Sequence, residues 1–221
     1  MTASQPTLLK IMVSPIARSG RVHICQQTLI QSYLDDIYLP FAEDIKQSLY
    51  FYDNEHYGEI YYYSVVKLVK YLNISNTDHV LDLGSGLGRV AFQLFLTTNA
   101  ASITGIEINA QRYDVSKKVN DVLETTTPDV VVKARALNLI HGDFLKYHFD
   151  DISVIYVCSY VFSFELLEAM GKKINGMSSV KKIASIGKLP HLVDFKLIKT
   201  VFLHCTWDRV ACYIYERINE K

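Results

Sequence analysis

The run Val80-Leu81-Asp82-Leu83-Gly84-Ser85-Gly86-Leu87-Gly88-Arg89 constrains this chain more than any other stretch. A mostly apolar strand passes into alternating glycines and then into a second apolar stretch, which predicts strand, tight loop and helix in direct succession. Such a joint belongs to a parallel sheet, whose crossover connections are usually helices. The rest of the chain keeps that rhythm. Short β-rich runs at 80–83, 103–108, 137–140 and 153–157 alternate with helical stretches at 88–97, 110–123 and 164–174. Beyond them, 182–186, 197–204 and 210–215 read as strands, and only the last two are joined by a short connection. The expected fold is α/β: a seven-stranded, mostly parallel sheet covered on both faces and ending in an antiparallel hairpin.

The first 25 residues carry Pro, Ser and Gly without a clear period, which predicts an irregular start. From 26 to 52 apolar residues recur at helical spacing, as in Leu29, Tyr33 and Ile37, and Pro40 breaks the run into two expected helices. A polar turn at 53–58 then leads into a helix at 59–72 with an apolar face of Val65, Leu68, Val69 and Leu72. The expected organisation is a helical extension or lid, 1–56, followed by the sheet domain, 57–221.

Charge adds little steering, because Lys+Arg and Asp+Glu are both 23 and the formal net charge is zero. The sequence carries no strong nucleic-acid signal, and any partner must be recognised locally. Its most apolar run, 152–164, is shorter than the ~20 residues a membrane span needs. The scattered Cys25, Cys158, Cys205 and Cys212 form no metal-ligand spacing. They fit reduced thiols, hence a cytoplasmic or nuclear setting, with export into a host left open.

The acidic residues around the glycines indicate a ligand. Asp82, at the mouth of the loop, would repel a dinucleotide pyrophosphate but suits a cation. S-adenosylmethionine carries an ammonium and a sulfonium, so the sign of charge separates the two ligands. An alternative is that Asp82 caps the following turn. Glu107 lies about 20 residues beyond Gly84, at the end of the next expected strand, where an acid accepts ribose hydroxyls. Asp143-Phe144 follows the third strand, placing a carboxylate for the adenine amino group and a ring for the purine face. All three positions fall at carboxyl ends of parallel strands, where open α/β sheets bind ligands.

These features resemble the Rossmann-like class I methyltransferases. A narrower likeness runs through Tyr57-Gly58-Glu59, the glycine run, Gly142-Asp143-Phe144, the segment Ser153-Val-Ile-Tyr-Val-Cys-Ser-Tyr-Val-Phe162, and Trp207 before Val210-Ala-Cys-Tyr213. In this order the chain is similar to the disruptor-of-telomeric-silencing family of non-SET histone lysine methyltransferases. The resemblance implies S-adenosylmethionine as cofactor, held by Tyr57 and Glu59, by Asp82, Gly84, Ser85 and Gly86, by Glu107, Asp143 and Phe144, and beside Cys158. It also implies a lysine channel walled by Tyr160, Phe162 and Tyr213. Two departures stand out: Cys158-Ser159 replaces an Asn-Asn pair, and Arg89 replaces Gln. The first removes an amide beside the transferred methyl group and bears on the substrate more than on the cofactor.

The expected activity is protein lysine methylation. It requires orientation of the amine, exclusion of water and aromatic faces that tolerate a cation. Other readings keep the cofactor with a small-molecule or nucleic-acid acceptor, or keep cofactor binding without catalysis. The pairs Lys172-Lys173 and Lys181-Lys182 read as solvated faces or as contacts for an acidic partner.

Overall fold

The computed structural model describes residues 20–50, 57–126 and 136–218, with side chains from residue 27 onward except at 50. The expected irregular start lies largely outside these residues, as does most of the polar turn at 53–58. In chain order the elements are α1 (Gly20–Tyr38), a 3-10 turn (Leu39–Phe41), α2 (Ala42–Tyr50), α3 (Tyr62–Leu72), β1 (His79–Leu83), α4 (Arg89–Thr97), β2 (Ser102–Glu107) and α5 (Ala110–Thr126). They are followed by β3 (Ala136–His141), β4 (Val154–Cys158), α6 (Phe164–Asn175), β5 (Lys182–Ile186), β6 (Phe195–His204) and β7 (Arg209–Arg217).

The strands form one seven-stranded sheet in the order β3-β2-β1-β4-β5-β7-β6. The first five run parallel, and β7 pairs antiparallel with both β5 and β6. The order reverses beside β1, so the crevice for a ligand opens between the carboxyl ends of β1, β2 and β4. Strand alternation splits the apolar residues between two cores. Val80, Ile103, Val154 and Tyr156 face one, while Leu81, Leu83, Ile155 and Val157 face the other. Helices α1, α3, α4 and α5 cover the first, and α6 covers the second through Met170 and Ile174.

The two N-terminal helices part at Pro40, as the sequence predicts. They are continuous with the sheet domain in packing, because Ile30, Tyr33, Leu34, Ile37 and Tyr38 are buried in the first core. Helix α3 buries Val65, Leu68 and Leu72 on one stripe and stops at Asn73, whose left-handed φ of 48° ends the helix. Lys182 Nζ donates to the last α3 carbonyl, Leu72 O, at 3.0 Å, and Lys173 Nζ donates to Leu145 O and Tyr147 O. These two lysines thus tie the fold together rather than forming a solvated face. No helix is described between β3 and β4, so coverage on both faces is incomplete at that crossover. Among the described residues no helix is long and apolar enough to cross a membrane.

Candidate functional site

The glycine loop folds by leaning on the next strand. Gly84 N and Ser85 N both donate to Ile106 O, at 2.9 and 3.0 Å. Gly84, Gly86 and Gly88 have φ of 72°, 54° and 83°, a region that side chains rarely enter. A Cβ on Gly86 would lie 2.9 Å from the Tyr57 ring, so the backbone is open only because the side chain is missing.

Glu107 is locked at the tip of β2. Its Oε2 accepts from Gly86 N at 2.7 Å and its Oε1 from Asn109 N at 2.8 Å. Each oxygen keeps a lone pair that a ribose hydroxyl can use. Asp82, on β1, is buried close enough to Glu107 for the two charges to interact. It accepts from the Ala91 backbone N–H in the first turn of α4, yet its Oδ2 has no hydrogen-bond partner among the described residues. Asp82 thus lines a cavity with one oxygen left without a partner. Burial, followed by the Glu107 charge, pushes its carboxyl up to about 7. Two crowded, desolvated carboxylates at adjacent strand tips are relieved by a ligand that brings positive charge.

One cavity of about 50 Å³ is lined by Tyr57, Glu59, Asp82, Gly84, Ser85, Gly86 and Cys158, seven of the positions the sequence points to, along with Arg89 and Tyr156. Arg89 Nε donates to Glu59 Oε1 at 2.6 Å, and Tyr57 Oη donates to the same oxygen at 2.8 Å. The Arg89 guanidinium also lies 4.0 Å above the Tyr38 ring, whose hydroxyl donates to Leu87 O. This network spans the mouth, so residues 57–59 sit closed over a space smaller than an adenosyl group. A larger groove of about 570 Å³ opens near the amino ends of β1 and β2, among His79, Ser102, Asn138 and Asp150, away from the glycine loop.

The other sequence candidates, Glu107 among them, do not line that cavity. Asp143 Oδ1 accepts from Leu145 N at 2.9 Å, and its other oxygen lies 3.4 Å from Lys146 Nζ. The Phe144 ring is buried in the second core against Phe149, so it is not an open platform for a purine in this arrangement. Phe162 and Tyr213 also pack against the second core, although the Phe162 ring comes within 3.5 Å of where a Gly84 Cβ would stand. Tyr160 is exposed and pairs with Trp207, ring centroids 5.7 Å apart. Trp207 in turn fills the space over Gly58, where a Cβ would lie 2.2 Å from its ring. The segment is strapped to the β6–β7 turn: Glu59 N donates to Thr206 Oγ1, Thr206 N to Glu59 O, and Tyr61 N to His204 O.

Sequence reasoning did not single out Tyr38, Tyr156 or Arg112 as site residues. The Arg112 guanidinium lies 5.2 Å from the Tyr57 ring centroid. Tyr156 had a usable signal, since strand alternation puts it on the same face as Cys158.

Solved structures with the same architecture include an RNA methyltransferase from Salinibacter ruber bound to S-adenosylhomocysteine, at 18% identity and a TM-score of 0.53, covering 71% of this chain and 92% of that one. TrmK from M. capricolum, also bound to S-adenosylhomocysteine, aligns at 13% identity and a TM-score of 0.50, covering 69% and 67%. TrmN from Thermus thermophilus aligns at 12% identity and a TM-score of 0.54, covering 70% and 48%. At these identities the likeness establishes the fold. A search of curated proteins finds no match. The family described as histone methylation protein DOT1 matches residues 37–201, most of the chain, including the glycine loop, the strand-tip acids and the Cys158 segment. The glycine loop, with Asp82 and Glu107 buried at the adjacent strand tips, thus lies within a matched family sequence, and the chain belongs to the DOT1 histone methylation family, S-adenosylmethionine-dependent methyltransferases.

Proposed function

We propose that the acceptor is a lysine side chain of a protein, with residues 57–221 carrying the reaction and the chain before them acting as its cover. The carrying observation is the exposed Tyr160–Trp207 ring pair at the outer lip of the cofactor cavity, one ring resting on Gly58. When bound, S-adenosylmethionine supplies an electrophilic methyl group on its sulfonium. Asp82 would hold its ammonium and Glu107 its ribose. The aromatic lip would strip water from an entering amine, lowering its pKa so that it arrives neutral, and aromatic faces tolerate the remaining positive charge. Cys158 lines the cavity without competing as a nucleophile, because burial pushes its thiol up to about 11 and keeps it protonated.

Methyl-labelled cofactor offered with histones, nucleosomes, total RNA and a small-molecule extract tests the acceptor. Label on protein lysine is the expected result. Label confined to RNA or metabolites would replace the lysine reading. Cofactor binding without transfer to any pool would make the chain a binding module.

A further inference from the structure

Asp82 Oδ2 and Tyr156 Oη are both buried without a hydrogen-bond partner among the described residues, and both residues line the cofactor cavity. Their adjacency is built into the sheet. Asp82 and Tyr156 are register partners on β1 and β4, so their side chains rise from the same face about 5 Å apart at the backbone. Tyr156 stands in the apolar run Val154-Ile155-Tyr156-Val157, where phenylalanine would fill the same volume without burying a hydroxyl. Leaving such a group unsatisfied costs stability, and a native structure that does so twice around one cavity is accounted for by a ligand that satisfies both. Burial, with the nearby Cys158 and Asp82 adding to it, raises the phenol well above its usual value, so it stays neutral and acts by hydrogen bonding alone. A neutral oxygen and a carboxylate oxygen facing one cavity suit a small head with several N–H donors.

We propose that Tyr156 completes, with Asp82, the receptor for the α-ammonium group of the cofactor, Tyr156 Oη and Asp82 Oδ2 each accepting one N–H. The assignment rests on the S-adenosylmethionine site described above and adds a residue to it. Tyr156 acts on binding and orientation of the donor and takes no part in proton transfer.

Calorimetry on the full chain, parent and Tyr156→Phe, with S-adenosylhomocysteine and with an analogue lacking the α-amino group, tests this alongside thermal unfolding of each free protein. The parent should bind S-adenosylhomocysteine about 10- to 100-fold tighter than the variant, on the scale of one hydrogen bond to a charged group. Both proteins should bind the desamino analogue equally. The free variant should melt no lower than the parent, because it has shed an unsatisfied hydroxyl. Equal affinity of parent and variant for S-adenosylhomocysteine overturns the proposal, as does an equal loss for both ligands. Weaker binding joined to a lower melting temperature of the free variant would assign the hydroxyl to packing and overturn it too. Failure of the parent to bind S-adenosylhomocysteine would instead remove the cofactor site, and this proposal with it.

Discussion

Asp82 and Glu107, at the tips of β1 and β2, are 2% and 5% exposed and are held by backbone N–H groups, whereas Tyr160 and Trp207 across the cleft are 57% and 37% exposed and lean on each other. The proposed donor side is a pair of acids desolvated before any ligand arrives, as electrostatic recognition requires. The proposed acceptor side is apolar surface gathered from three segments, around residues 58, 160–162 and 207. On the proposed reading, one fold can keep its donor and vary its acceptor, because the groups assigned to the donor are embedded in the sheet and those assigned to the acceptor sit on its connections.

Four tests bear on that contrast. The largest effect is expected from Asp82→Asn, which removes the charge but not the shape. Affinity for S-adenosylhomocysteine should fall on the order of 100-fold by calorimetry, and near-parent affinity would end the view that charge defines the donor side. Trp207→Ala should lower kcat/KM for the acceptor about tenfold while cofactor affinity moves less than about threefold. An equal loss of both would mean that the two sides act as one unit.

The third test is pH. Asp82 has an ordinary value of 3.8 and is raised to about 7 by burial and then by Glu107. Between those values the folded chain keeps a proton that the unfolded chain has lost. The stability attached to that proton is full below the unfolded value and is lost as pH rises through about 7. A cationic ligand needs the ionised form, so cofactor affinity should rise with pH by up to about tenfold per unit below neutrality, then level off. Asp82→Asn should flatten both profiles, measured by thermal unfolding and by calorimetry across pH 5 to about 8. The smallest effect belongs to Lys146→Ala. The exposed Lys146–Asp143 pair at 3.4 Å should contribute less than about 1 kcal/mol in denaturant unfolding, because Asp143 keeps its bond from Leu145 N.

The donor side was legible in the sequence because its parts are local. A strand, three glycines and an acid at the next strand tip each leave a pattern within a few residues, and the strand boundaries followed from β-branched runs bounded by turns. Glu107 falls on the last residue of β2, where alternation and spacing place it. The acceptor side resisted, since nothing near Gly58 announces that Trp207 will lie on it, and nothing near Phe144 announces that its ring will turn into the second core. The closed Arg89–Glu59–Tyr57 network was equally silent, because a pair about 30 residues apart has no periodicity to betray it. Tyr156 was overlooked for another reason: alternation puts it on the face of Cys158, but inside an apolar strand a tyrosine reads as core until its hydroxyl is found without a hydrogen bond.

The crossover without a helix has a physical consequence of its own. Strand β3 lies at the sheet edge and none of its residues is fully buried, whereas four of the five residues in each of β1 and β4 are. With so little packing on it, β3 should be the place where the sheet opens first, its amide protons exchanging with solvent long before those of β1 and β4. Because Gly142 N donates to Glu107 O just past the end of β3, that fraying reaches the neighbourhood of Glu107. A bound nucleoside should therefore slow exchange along an edge strand that supplies none of the residues lining the closed cavity.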